Sequence, residues 1–317
     1  LLDPNELDVS GWKDVIDQLA KLGTEKIVYS GGEPTLKDGF CEIVDYTVQK
    51  GIKYAFISNG YRLPPKVCKT INAAPPYAVG ISIDGTEAVH NSIRGKTDSW
   101  SRALKTIKGL KENGHQVCAV TTVSKWNLHV LDDLAEFLSE TVDSWQIQLA
   151  SPFGRMKDQT EALLSEEEFQ HLCKRVILFR SLYDDLNIQA ADCFGMADAG
   201  LIRSTEWEGC SAGLWTMGID ACGNVLPCLS IQNGITGGNV KSESLVDIWH
   251  NSECFRLNRN PDFLDASRGQ CGACKLLERC RGGCASLSYA YTGKFHRVPL
   301  CYHRSFCDPC QEGGVKS

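Results

Sequence analysis

The sequence predicts a parallel α/β domain, either a barrel or an open sheet, followed by a small cysteine-rich domain. Three observations carry this reading. Short apolar runs alternate with amphipathic helical stretches five times, as parallel strands require when each crossover returns over the sheet as a helix. Each run ends in a small or polar group, and in such folds the loops after the strand C-termini build the ligand site. Near residue 190 the rhythm stops while Gly and Cys become dense, so the boundary is placed between 1–189 and 190–317.

The elements follow in order. Residues 10–23 (SGWKDVIDQLAKLG) read as a helix with Ser10 as N-cap. Trp12, Val15, Ile16, Leu19 and Leu22 recur on one face, and Gly23 ends it. KIVYS is a short buried strand that runs into Gly31-Gly32-Glu33-Pro34. A helix over 38–50 leads to the strand YAFIS and the turn SNG. A helix over 65–73 leads to VGISI and DGT. The helix from Trp100 to Asn113 turns Ala103, Leu104, Ile107 and Leu110 inward, and VCAVTTV follows. A helix over 130–140 precedes WQIQLA, and residues 165–185 form a helix opened by a capping box at Ser165 and Glu168. Because the chain opens on a helix, a first strand and its loop are expected upstream of Leu1.

Composition narrows the function classes. The net charge is −6 and the pI about 5.7, which argues against nucleic acid or an anionic membrane as the main partner. No run reaches the ~20 apolar residues of a membrane span, and no signal-peptide pattern opens the chain. A cytoplasmic protein is the expectation.

Four of the 16 cysteines (Cys41, Cys68, Cys118 and Cys173) precede residue 190, on apolar faces that make them core residues. The others crowd the last 125 residues. Such density means disulfides or metal, and the cytosolic-type α/β front half favours metal. Cys271, Cys274, Cys280 and Cys284 are spaced C-x2-C-x5-C-x3-C, too tight for all four to turn toward one ion without strain. They more easily feed two centres completed by cysteines elsewhere. Spacing alone leaves zinc and iron–sulfur open.

The strand-end loops are the other candidate site. Gly31 and Gly32 bare their backbone to a ligand, and Pro34 stiffens the exit. Ser58-Asn59-Gly60 and Ser82 place further small polar groups at strand ends. Each alone reads as turn chemistry. Three in succession point to one polar ligand across the sheet mouth.

GGEP, SNG and SIDG followed by HNSIRG together resemble the radical S-adenosylmethionine (SAM) enzymes over essentially the whole chain. The resemblance implies a partial (β/α)6 TIM-type barrel with its first strand missing. It implies that Gly31, Gly32, Glu33 and Pro34 meet the amino group of SAM, and that Ser58, Asn59 and Ser82 meet its ribose and carboxylate. Arg94, in the stretch HNSIR, is implied as a carboxylate clamp, with a surface salt bridge as the plain alternative. Val123 and Leu149 would flank the adenine. The family's C-x3-C-x2-C, which binds the SAM-cleaving [4Fe–4S] cluster, is absent from this sequence, and truncation of the first strand's loop explains that. The chain as written could not perform the family's chemistry, so the functional expectation concerns the intact protein.

The back half resembles the SPASM extension of peptide- and protein-modifying members, a match far more specific than a lone CxxC. Cys210, Gly223 and Cys228 fit its first part, Cys271, Cys274, Cys280 and Cys284 its second, and Cys301 its last. The resemblance implies two auxiliary [4Fe–4S] clusters, one on Cys271, Cys274, Cys280 and Cys301, the other on Cys210, Cys228 and Cys284. LWTMGIDACGNVLPC reads as a hairpin turning at Cys222, which puts Cys222 roughly 15 Å from Cys228. Cys193 is therefore favoured as fourth ligand, with a site left open for substrate as the alternative. Cys307 and Cys310 form an extra CxxC that could displace Cys301. Leu229 stands where sulfatase maturases carry an aspartate, which counts against formylglycine formation.

By resemblance, the intact enzyme makes a 5′-deoxyadenosyl radical that abstracts hydrogen from a peptide or protein and forms a thioether, carbon–carbon or related crosslink. A flavodoxin- or ferredoxin-type donor would supply the electron. The rivals are a non-catalytic iron–sulfur or zinc protein on a decayed barrel, and a radical SAM enzyme acting on a small molecule.

Overall fold

A computed structural model describes residues 4–196, 207–231, 234–259, 271–272 and 274–306. Six parallel strands form one sheet in the order of the chain: β1 (Lys26–Tyr29), β2 (Lys53–Ser58), β3 (Val79–Ser82), β4 (Val117–Val123), β5 (Ser144–Leu149) and β6 (Asn187–Ala190). Consecutive order with every pair parallel is the arrangement of a partial barrel, with β1 and β6 as edges among the described residues. The register sets Val123 beside Leu149 and Ser58 beside Ile81, so the strand ends form one rim.

The crossovers are α1 (Val9–Lys21), α2 (Phe40–Gln49), α3 (Pro65–Ala73), α4 (Glu87–Arg94), α5 (Ser99–Glu112), α6 (Leu131–Ser139) and α7 (Glu166–Leu182). Most ends fall within two residues of expectation. The N-cap of α1 is Asp8 rather than Ser10, its carboxylate accepting the Gly11 N–H at 2.8 Å. The capping box of α7 is present as expected, Ser165 and Glu168 satisfying each other's backbone N–H.

Three features depart from the sequence reading. β6 adds a strand to the five expected, and it ends at Ala190, one residue past the predicted boundary. α4 occupies what reads as a loop between β3 and α5. β1 is not a buried strand: it is the sheet edge, and its Val28 is 45% exposed.

Beyond β6 lies a small antiparallel sheet of β7 (Gly218–Ile219), β8 (Asn224–Leu226) and β9 (Gly238–Asn239). It is followed by α8 (Leu245–Asn251), α9 (Arg256–Arg259), α10 (Leu277–Cys280), α11 (Ala285–Thr292) and α12 (Tyr302–Phe306). The β7–β8 hairpin turns through Asp220, Cys222 and Gly223, with Asp220 Oδ1 accepting the N–H groups of Cys222 and Asn224 at 2.9 Å each. Cys222 is thus a turn residue, as expected. The two halves share one core. Leu277, Leu287, Val298, Leu300 and Tyr302 join the cluster of Trp145, Phe169, Phe194 and the strand residues. Each such large apolar side chain contributes about 1.5–3 kcal/mol on burial.

Candidate active site and cysteine centres

The mouth is built by the loops after β1, β2, β3 and β4. Gly31 and Gly32 are exposed, and a Cβ at either would meet nothing within 4 Å, so both backbones face open space above the rim. Gly31 has φ +132°, which a side chain would strain. Glu33 turns back into the protein. One carboxylate oxygen accepts the Thr35 hydroxyl at 2.7 Å, and the other accepts the Asn59 N–H at 2.8 Å. The glutamate therefore joins the GGEP loop to the SNG loop and leaves the bare glycine backbone to a ligand.

The polar residues of the next two loops divide their roles. Ser58 is buried, and its hydroxyl accepts the Gly60 N–H at 3.0 Å. Asn59 closes an Asx turn onto the Tyr61 N–H at 2.8 Å. Both thus do turn work. Ser82 is half-buried at the end of β3, in register with Val120 of β4. Val123 and Leu149 lie side by side and buried.

Arg94 is not a loose surface residue. Its guanidinium pairs with the buried carboxylate of Asp84 at 2.6 Å. Asp84 is set by its surroundings: its carboxylate accepts the Thr122 N–H at 3.3 Å, and its carbonyl accepts Asn127 Nδ2 at 2.8 Å. Its own N–H donates to His90 Nδ1 at 3.1 Å, so Nε2 carries the ring proton toward Ser99 Oγ, also at 3.1 Å. Burial first, and then the Arg94 charge, hold His90 down to about 4, neutral at physiological pH. The sequence reading passed over this network. Its signal was the Asp of SIDG and a His four residues before Arg94.

The cysteines form two groups. Cys271, Cys274, Cys280 and Cys301 line one cavity, together with Met196 and Arg304. Burial pushes Cys280 up to about 12, with Cys301, Cys271 and Cys274 adding to it through their charges. The second group gathers around Cys284, which burial also pushes up, followed by Cys210 and Cys193. Cys228 is raised by burial and then by Cys210.

Backbone detail explains how residues so distant meet. β6 feeds Ala191 and a 3-10 turn at Asp192–Phe194, anchored by Phe194 against Phe169, and this carries Cys193 to the sheet rim. There the Leu149 N–H donates to Cys193 Sγ at 3.2 Å. Gly195 backs onto Cys301, its virtual Cβ lying 3.2 Å from the Sγ, so one turn touches both groups. Gly282 and Gly283 have φ +72° and +85°, and a Cβ on Gly283 would lie 2.4 Å from Val298. Only bare backbone lets the 296–301 segment, and hence Cys301, close over Cys280.

Among the described residues the cysteines form no disulfide, so none staples this region. Nor do three His, Cys, Asp or Glu side chains among them converge to hold a single ion, as a four-thiolate zinc knuckle would require. Thiols spread around a cavity suit a multi-atom cluster. Buried thiols that raise one another ionise only beside a strong positive centre, and iron–sulfur ligation supplies one. The donor set therefore fits such clusters, and the bare glycine rim fits a small polar ligand.

Cys41 and Cys173 are buried as expected, whereas Cys68 and Cys118 are half-buried. Cys254, which the sequence reading did not assign, sits apart against the 237–238 turn. Cys307 and Cys310 lie outside the described residues.

A ligand site at the mouth of a parallel sheet, joined to a thiol-rich annex suited to metal clusters, defines the class of protein. A radical SAM superfamily profile matches residues 2–138, and a profile of the SPASM iron–sulfur cluster-binding domain matches residues 210–281. The mycofactocin maturase MftC of Mycolicibacterium smegmatis is 30% identical over 304 residues, 92% of this chain and 73% of its own. The AdoMet-dependent heme synthase of Methanosarcina barkeri is 28% identical over 314 residues, 94% of this chain and 88% of its own. Streptococcus suis SuiB bound to S-adenosylmethionine superposes with a TM-score of 0.72 at 18% identity, over 90% of this chain and 68% of SuiB, a likeness of fold. The chain belongs to the radical SAM family and carries a SPASM domain, and its cofactors are S-adenosylmethionine and [4Fe–4S] clusters. No helix among the described residues is long and apolar enough to cross a membrane.

Proposed function

We propose that the intact protein modifies a peptide or protein, forming a thioether, carbon–carbon or related crosslink. When bound, S-adenosylmethionine and its reducing cluster supply a carbon radical able to abstract hydrogen. The chain's own residues position and shield. The Gly31–Gly32 backbone receives the amino group of the cofactor, Ser82 reaches its polar rim, and Arg94, steadied by Asp84, attracts its carboxylate. Val123 and Leu149 form the apolar floor. Ser58, Asn59 and Glu33 hold the loops in register, the kind of preorganisation that lowers a barrier by fixing geometry beforehand.

In the annex, Cys271, Cys274, Cys280 and Cys301 are the ligands of one auxiliary cluster, and Cys193, Cys210, Cys228 and Cys284 those of the other. The observation that carries this reading is the gathering of eight thiols into two groups, one of them touching the strand-end rim through Leu149 and Cys193. A flavodoxin- or ferredoxin-type protein is the proposed electron donor, and the domain boundary falls just after β6. Support for a peptide substrate comes from the relatives: SuiB has been solved bound to its precursor peptide SuiA, and MftC is a maturase.

The heme synthase, similar over nearly the whole chain, favours a second reading in which the substrate is a small molecule. Anaerobic incubation of the full-length protein with S-adenosylmethionine, dithionite and peptides encoded beside its gene separates the two. The proposal expects 5′-deoxyadenosine together with a peptide lighter by two hydrogens. Cofactor cleavage with every such peptide unchanged in mass, and a porphyrin substrate consumed instead, would establish the second reading.

A further inference from the structure

Asn127 lies in the loop between β4 and α6 and is fully buried, 0% exposed. Its side-chain nitrogen Nδ2 donates to the Asp84 carbonyl at 2.8 Å and to the Thr122 carbonyl at 2.9 Å. Its Oδ1 accepts the Ser124 N–H at 2.8 Å. Two carbonyls facing one end of the amide and an N–H facing the other fix its orientation. Burial keeps solvent from taking its place, so each of these bonds is costly to lose. The amide thus ties the loop after β3 to the exit of β4, across 43 residues of chain.

The tie matters because of what hangs on Asp84. Its carboxylate lies between the Thr122 N–H, at 3.3 Å, and the Arg94 guanidinium, at 2.6 Å. The following Gly85 is pressed against α4 and the entry to α6, where a Cβ would lie 2.9 Å from Val89 and 3.2 Å from Val130. His90 fixes the N–H of Asp84, and Asn127 fixes its carbonyl. Asn127 also holds Thr122 and Ser124 on either side of Val123, so it sets the spacing between the Asp84 turn and the end of β4.

We propose that Asn127 is a positioning residue for S-adenosylmethionine, fixing Asp84 and, through Asp84, aiming the Arg94 guanidinium at the cofactor's carboxylate. This role rests on the reading of Arg94 as the carboxylate clamp proposed above. Being buried, Asn127 acts through the backbone it holds. A guanidinium steadied beforehand binds an anion without first giving up the freedom of a long side chain.

The test is a calorimetric titration of S-adenosylmethionine, without reductant, into the reconstituted full-length protein and its Asn127→Ala, Arg94→Gln and double variants. Circular dichroism and iron content check that each is folded and loaded. Asn127→Ala is expected to weaken binding by roughly five- to tenfold, the worth of about one hydrogen bond, and Arg94→Gln by at least as much. In the Arg94→Gln background, Asn127→Ala is expected to cost no further affinity, because its effect passes through the guanidinium. Unchanged affinity in a folded Asn127→Ala protein overturns the assignment. So does a loss in the Arg94→Gln background equal to that in wild type, which is what a merely structural residue produces. If Asn127→Ala fails to fold, Asn127→Asp takes its place. It keeps the size and the acceptor for Ser124, loses both donors, and must meet the same two criteria. An Arg94→Gln protein that binds the cofactor as tightly as wild type overturns the clamp itself, before Asn127 is considered.

Discussion

The carboxylate of Glu33 accepts the backbone N–H of Asn59 at 2.8 Å, across 26 residues of chain. This bond locks the first strand-end loop to the second, and with the Thr35 contacts it occupies both carboxylate oxygens. In the proposed site, this glutamate acts on the ligand through the backbone it holds.

Replacing Glu33 tests that. Hydrogen bonds to a charged acceptor are worth about 1.5–3 kcal/mol each. Glu33→Ala is therefore expected to weaken S-adenosylmethionine binding by roughly tenfold or more, and Glu33→Gln by less, since it keeps one acceptor. Calorimetric titration of the intact protein reads the affinity, and circular dichroism checks the fold. Unchanged affinity in a folded Glu33→Ala protein would rule the role out.

Asp84 and Arg94 offer a stability test. Asp84 is buried, so removing its cation by Arg94→Ala leaves a desolvated carboxylate, which costs about 3–5 kcal/mol. The double variant Asp84→Asn/Arg94→Ala is expected to recover much of that loss in urea unfolding. Simple additivity of the two substitutions would show that the pair is not coupled.

His90 makes the barrel acid-sensitive. Its pKa falls from 6.5 to about 4 on folding, so between these values the unfolded chain takes up the proton and the folded chain resists it. The contribution is present above pH 6.5 and is lost as pH drops toward 4, in total about 3 kcal/mol. His90→Gln is expected to flatten this part of the stability–pH profile, and an identical slope in the variant would contradict the assignment.

Iron content tests the grouping of thiols. Cys301→Ser and Cys271→Ser should each lose about four irons, and the double variant no more, because the proposed sets assign both to one four-iron cluster. Cys301→Ser combined with Cys284→Ser should lose about eight. Cys222→Ser and Cys254→Ser should lose none. Additive loss within the first pair would break the proposed sets.

Gly283→Ala probes the close approach of two segments. The new methyl would sit 2.4 Å from Val298 on a backbone at φ +85°. Overpacking of this kind costs about 1–3 kcal/mol. The expected readout is a lower melting temperature together with loss of the cluster that uses Cys301. A variant as stable and as iron-rich as wild type would show that the segment yields freely.

Some of this was already written in the residues taken one stretch at a time. Val117–Val123 and the capping box at Ser165 are local signals, since β-branched runs and reciprocal caps form from near neighbours whatever lies elsewhere. The GGEP, SNG and SIDG turns and the C-x2-C-x5-C-x3-C spacing are equally local, and they sufficed to indicate a cofactor rim and two metal centres. Tertiary structure alone decided the rest. NIQA is too short and too mixed to announce a strand, and it becomes β6 because β5 offers an unpaired edge; that pairing delivers Cys193 to the rim. Glu33 finds Asn59 and Leu149 finds Cys193 only after distant segments close, because contacts of long sequence separation follow from packing and leave no periodic trace along the chain.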